Sequence, residues 1–316
     1  MTLLWWWPQY GDLIPQLLGW LSCVVTAYFM LETNTKFAIL RTRTQMTAVL
    51  YLIMMAVCGF LHPVSNGTLC QLCLIIAFFC LLHTYQRFHT ELHTFHAALA
   101  LSIGSLFWPP LLWLMPVMLW CQGGYLRALD LRHFGAALGG YLLPYIAWST
   151  GLAIRMYYAI LTTSIVDQLS AQEYFQPLLQ HAEGIIAPFH EPIIDLSPTL
   201  HDQLLSHPVE CTALVVMGLI GMTGFIHYLR KSYDDKIQVR MYHYSYMTVQ
   251  AVVAVWLVLQ PHYFHQLFPL FIAASVPAAA HFIALTHTWL TNAWVVLGAL
   301  ALVTVAIINI SLGFNV

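Results

Sequence analysis

The sequence predicts an all-α, polytopic integral membrane protein of about ten membrane segments, and three observations predict it. Of 316 residues, 60% are hydrophobic and only 8% charged, where a soluble domain carries about 25% charged residues. The eleven Lys and Arg residues fall in clusters between apolar runs. Most of those runs approach the roughly 20 residues that cross a hydrocarbon core. Mean hydropathy is +0.73. The net charge of −2 offers no electrostatic footprint for nucleic acid, and no such partner is expected.

The elements follow in order from the basic clusters. These are Lys36 with Arg41 and Arg43, then Arg87, then Arg127 with Arg132, then Arg230, Lys231, Lys236 and Arg240. Taken as cytoplasmic loops under the positive-inside rule, they set spans near 13–31, 46–62, 68–86, 134–153, 209–228, 241–260, 266–287 and 292–312. The opening stretch, MTLLWWWPQYGDLIP, has no basic residue before its first apolar run, unlike a secretory signal peptide. Its tryptophans Trp5, Trp6 and Trp7 suit a membrane–water interface.

Residues 95–122 lie between Arg87 and Arg127, so both ends belong on one side. Pro109-Pro110 breaks this stretch into 96–107 and 111–122, because proline lacks the N–H donor and clashes with the preceding turn. Such a broken hairpin is expected inside the protein, away from lipid. Both termini then lie outside the cytoplasm, and among the basic residues only Arg155 does. The chain reads as one membrane domain, 1–316, of a bacterial inner (cytoplasmic) membrane. Its insert at 156–208 has six acids and no Lys or Arg, and its five prolines predict short helices and turns outside the cytoplasm.

Candidate chemistry is sparse. Cys70-Gln71-Leu72-Cys73 has the spacing of a redox pair, but a thiol relay needs a second pair on its side, and only Cys211 is there. The stronger reading is a helix entry, with Asn66-Gly67 as the bend and Thr68 as N-cap. His89, His93 and His96 stand at helical spacing, which would align three imidazoles for a metal. At a membrane boundary histidine is also simply a comfortable amphipathic residue. In the insert, Glu183, His190, Glu191 and Asp195 are candidates for acid–base work. Asp234-Asp235 most simply neutralises Lys231 and Lys236.

No Asp, Glu, Lys or Arg falls mid-span, which argues against a proton-coupled pump. The buried polar candidates are His281, Gln250, Asn309 and Gln71. Pro109 and Pro110 in one half, and Pro277 with His281 in the other, could frame a site between interrupted helices. No Walker, Gly-x-Gly-x-x-Gly or Gly-x-Ser-x-Gly motif occurs, and no cofactor is expected.

The run from "LETNTKFAILRTRTQ" to "LLHTYQ", then "ALSIGSLFWPPLLWLMPVMLW" and "GGYLLPYIAW", resembles an uncharacterised family of multi-pass inner-membrane proteins of the Bacteroidetes. Asn34, Tyr85-Gln86-Arg87, Ser105-Leu106-Phe107 and Pro144-Tyr145 carry the resemblance. It implies a membrane protein of the cell envelope and supplies no catalytic residue. The chain is also similar, more weakly, to multi-span polyprenyl-phosphate-dependent glycosyltransferases, which carry an acidic pair in their first outer loop. Here His62 to Thr68 has no acid. The leading expectation is an accessory component of envelope assembly that binds membrane lipid or a partner subunit. A lipid-linked glycan transferase and a small-molecule transporter are the alternatives.

Overall fold

The computed structural model describes residues 13–40, 44–87, 89–162, 171–190, 208–285 and 288–313. Among the described residues the chain is helical and has no strand. The helices are α1 (Leu13–Phe37), α2 (Met46–Val57), α3 (Asn66–Leu82), α4 (Glu91–Phe107), α5 (Leu114–Gly124), α6 (Leu131–Thr162), α7 (Ala171–His190), α8 (Pro208–Lys231), α9 (Ile237–Leu259), α10 (Phe264–Leu285) and α11 (Trp289–Gly313). Among the described residues five stretches are long and apolar enough to cross a membrane: Leu13–Phe37, Leu131–Tyr157, Pro208–Asp234, Pro261–Leu285 and Thr291–Asn309.

The outer surface is that of a protein solvated by hydrocarbon. Leu219 on α8, Val258 on α9 and Leu300 on α11 are 61%, 69% and 58% exposed, and such apolar side chains cover whole helix faces. Water would drive these faces together. The middle of the bundle is α10, where every residue from Leu267 to His281 is buried.

Contacts between loops define two ends. At one, the Gln86 N–H donates to Leu126 O (3.1 Å), and Phe37 and Tyr85 both meet the Tyr242 ring. The described basic residues apart from Arg155 lie on the loops and helix termini of this end, which is called the basic end below. At the other, the insert end, the Val64 N–H donates to Pro15 O (2.9 Å). There Trp108 meets Trp256 and Tyr263, and Gln260 Nε2 donates to Pro188 O (2.6 Å).

Glycine lets helix backbones touch where a membrane supplies no hydrophobic drive for packing. A Cβ on Gly224 of α8 would stand 2.6 Å from Ala279 N and 2.8 Å from Ala278 C of α10. Gly140 of α6 sits on the Phe95 carbonyl, and Gly67 of α3 on the His265 carbonyl. Pro269 has no N–H to offer that His265 carbonyl. Despite Pro269 and Pro277, α10 runs without interruption, so the expected break at Pro277 is absent.

Pro109-Pro110 does break the chain. Helix α4 stops at Phe107, Trp108 is extended (φ −142°, ψ 101°), and a 3₁₀ turn, Pro109–Trp113, leads into α5. The non-helical backbone is buried as expected, with Trp108 at 5% and Leu111 at 0% exposure. The hairpin as a whole is not interior, however: Trp120 is 68% exposed. Only the turn needs cover, since helical backbone satisfies itself in lipid. The cover is α7: Trp113 Nε1 donates to Ile185 O (2.8 Å), and Gly184 lies against Pro109. Among its described residues the insert thus carries one 20-residue helix, longer than the short helices expected, despite Pro177 and Pro188 within it.

At the start of α3 the cap is Ser65, in place of the expected Thr68. Ser65 Oγ accepts from Thr68 N (3.3 Å), and Thr68 Oγ1 accepts from Ser65 N (3.0 Å). This reciprocal box satisfies two N–H groups that a helix start leaves open. Asn66 and Gly67 form the first turn and make no bend before it.

A candidate proton site at the basic end of the bundle

Helices α8 and α9 are joined by a 3₁₀ turn, Ser232–Asp234. Tyr244 OH donates to Ser232 Oγ (3.1 Å) and holds that turn. Asp235 follows in extended conformation (φ −90°, ψ 155°), which turns its side chain into the bundle. Its Oδ2 meets His281 Nε2 of α10 at 3.1 Å, and the side chains are 2% and 3% exposed respectively. The expectation that Asp235 neutralises lysines is thus corrected: its carboxylate faces a histidine in the core.

Two more rings close around the pair. His243 of α9, fully buried, directs Nε2 at Ile39 O (3.2 Å) beyond the end of α1. A carbonyl only accepts, so Nε2 carries hydrogen and Nδ1 of the neutral ring offers a lone pair. Tyr228 of α8 stacks on His243 (4.0 Å between centroids) and meets His281 edge-on (4.7 Å). His243 and His281 are 5.4 Å apart. The Tyr228 hydroxyl neighbours Asp235. That hydroxyl can donate to the carboxylate, while both Nδ1 atoms and Arg240 Nε are buried without a hydrogen-bond partner. The close approach at Gly224, one turn from Tyr228, fixes the α8–α10 spacing on which these distances depend.

This arrangement can hold a proton. A buried carboxylate beside an imidazole shares one between a neutral and an ionised pair. Polar groups without partners also lie nearer the other end. Gln71 of α3 is fully buried beside the Tyr51 hydroxyl of α2, which also neighbours Thr26 and Cys23, and no hydrogen bond of good geometry satisfies the hydroxyl or either amide atom. Between these levels, Gln250 of α9 donates to Gly221 O (3.1 Å) and leaves its own Oε1 open. Asn309 donates to Val57 O (2.8 Å), the last carbonyl of α2, and acts as a helix cap.

The other sequence candidates scatter. Pro109 and Pro110 lie at the insert end, while Pro277 is one turn from His281, so the four form no common site. Cys70 and Cys73 are free and buried between α3 and α4. Cys70 Sγ donates to Gly104 O (3.4 Å), and Gly104 packs on Cys73, so the pair serves as small residues in a close helix contact.

His89, His93 and His96 do not share a helix face. Helix α4 begins at Glu91, and His89 precedes it with φ +62°. His93 stacks on His83 instead (4.8 Å). Among the described residues no group of three or more His, Cys, Asp or Glu could hold a metal ion.

Glu183 and His190 are exposed on α7, while Glu191 and Asp195 lie outside the described residues. The insert histidine that does engage the bundle is, among the described residues, His181. Its Nε2 meets Tyr145 OH (3.2 Å), which in turn meets Ser105 Oγ (2.6 Å). Burial pushes His181 below the ordinary imidazole value. The sequence did not single out His243 or Tyr228, and it read Asp235 only as a partner of lysines. Its available signal was an acid next to a short loop between two apolar runs, with His243 and His281 at the same end. Comparison with family models, with curated proteins and with solved structures returned no match.

Proposed function

We propose that this chain is a ten-segment protein of a bacterial cytoplasmic membrane that carries a small solute with proton exchange at Asp235 and His281. The observation that carries the reading is the 3.1 Å pair itself, 2% and 3% exposed in a lipid-solvated bundle. Ionisable groups buried away from water are costly, and inside a membrane bundle they mark proton and ion paths. The partnerless atoms of Gln71, Tyr51 and Gln250 support it, since each orphaned polar group costs about 1–3 kcal/mol unless something polar visits it. The ten helices other than α7 supply the crossings, and the clustered basic residues favour the basic end as cytoplasmic.

The test is reconstitution into liposomes containing a pH dye, with pooled amino acids, sugars and organic acids supplied outside. Solute-driven acidification or alkalinisation is expected for the native protein. It should fall to the empty-liposome level in Asp235→Asn and His281→Gln with unchanged elution and helicity. Native protein that never exceeds empty liposomes would overturn the reading.

A second reading, an accessory protein that binds lipid, is favoured by one observation. An apolar groove of about 650 Å³ runs between α2, α8, α10 and α11, lined among others by Leu50, Phe282, Trp294 and Leu302. Retention of a lipid through delipidation, with no solute-driven flux, would favour that reading.

A further inference from the structure

A separate pocket of about 450 Å³ opens at the basic end, between the α3–α4 and α5–α6 connections. Its charged lining is Arg87, Arg127 and Arg132 with His89 and His133, against Glu91 and Asp130. Both acids are engaged: Glu91 lies 3.9 Å from His89, and Asp130 Oδ1 accepts from Leu131 N (2.6 Å). None of the three arginines has an ion-pair partner among the described residues. The helices α4 and α6 both begin here, so two positive dipole ends add to the three guanidinium groups.

Two further observations point to a ligand. His133 is 5% exposed and lines the pocket, with Nε2 on Thr90 Oγ1 (3.2 Å) and Nδ1 partnerless. The backbone is also strained around the opening: Gln86, His89 and Arg127 have φ of +48°, +62° and +50°. Non-glycine residues resist that region, and such strain gathers where a ligand is held. The Gln86–Leu126 hydrogen bond ties the two strained connections together.

We propose that this pocket binds a phosphate group, a mono- or diester carried on a polar body. Three free guanidinium forks suit a tetrahedral anion with several acceptor oxygens better than a planar carboxylate. The volume exceeds what a bare phosphate fills. Two sources share this chemistry, a lipid headgroup and a soluble phosphate ester. The exposed Leu92, Leu129 and Leu131 beside the opening, at 65%, 43% and 82%, place it where a headgroup would lie.

The experiment uses the whole purified protein in detergent, in two arms. Glycerol 3-phosphate is titrated calorimetrically, and phosphatidylglycerol and phosphatidylcholine are compared by native mass spectrometry. Arg132→Gln and His133→Asn are measured beside the native chain, with elution and helicity as folding controls. Saturable binding of glycerol 3-phosphate supports a soluble source, and preferential retention of phosphatidylglycerol supports a lipid. In either arm Arg132→Gln should weaken binding about tenfold or more, and this exposed residue should not disturb folding. No binding in both arms, or binding indifferent to Arg132→Gln, overturns the proposal.

Discussion

Replacing Gly224 by alanine tests the close α8–α10 contact behind the candidate proton site. The added Cβ would stand 2.6 Å from Ala279 N and 2.8 Å from Ala278 C and Ala279 Cα. All three are backbone atoms, which cannot rotate aside as a side chain can. To reach ordinary contact at 3.4 Å, α8 and α10 must part by about 0.8 Å along that line, against the close packing of the rest of the interface. Overpacking of this kind costs about 1–3 kcal/mol. The same helix holds its own control. Gly218 has nothing within 4 Å of its built Cβ, so Gly218→Ala removes only the conformational freedom of glycine and gains about 0.5–1 kcal/mol. Thermal unfolding in detergent should separate the two substitutions in sign, by roughly 2 °C per kcal/mol in a chain of this size. Because Tyr228 lies one turn on, Gly224→Ala should also reduce any solute-driven flux. Equal midpoints for the two variants would show that α8 and α10 do not meet at this point.

Three other outcomes follow from the structure. Cys70 and Cys73 should resist a membrane-impermeant maleimide in intact cells, with or without prior reduction, and react only after denaturation; labelling that requires reduction would establish an exposed disulfide. Gln71→Leu removes a buried amide that has no partner and keeps a similar volume, so the protein should gain about 1–3 kcal/mol while flux falls; a loss of stability would mean that the amide is held. His181 has its folded pKa pushed down by burial, so the unfolded chain binds more protons below its ordinary value of about 6.5. Its contribution is full above that pH and is lost as the pH falls, so the protection of α7 amides, corrected for the intrinsic slowing of exchange in acid, should fall between about pH 7 and 5, with the acid effect blunted in His181→Gln.

Much of the architecture was legible because lipid imposes a coarse grammar. The apolar runs gave helices near their expected places, and the double proline gave a turn between α4 and α5, since a missing N–H acts locally. Boundaries moved where local chemistry was subtler. Ser65 caps α3 because an extended residue three before Thr68 can trade hydrogen bonds with it, a matter of φ and ψ as much as of composition. The single site residue that the sequence supplied was His281, whose mid-run polarity is visible in a string of letters. Its partner was misread because Asp235 stands among Lys231, Asp234 and Lys236, where a one-dimensional reading pairs it with its neighbours. The 3₁₀ turn rotates it the other way, and that rotation depends on Tyr244 reaching Ser232. The histidine cluster failed for the opposite reason: helical spacing was assumed to extend through His89, but α4 starts two residues later.

The covered turn at Pro109 has a consequence for how the chain is made. Trp108 to Leu111 leave the ribosome about seventy residues ahead of Ile185, the carbonyl that Trp113 grips. During synthesis the hairpin therefore reaches the bilayer before its lid exists, with non-helical peptide groups that hydrocarbon cannot satisfy. Under the proposed topology the turn stays without that cover until α7 has been made, so a segment emitted early is seated late. Chains truncated between α6 and α7 should accumulate with the hairpin accessible to protease, and extending them through His190 should close it.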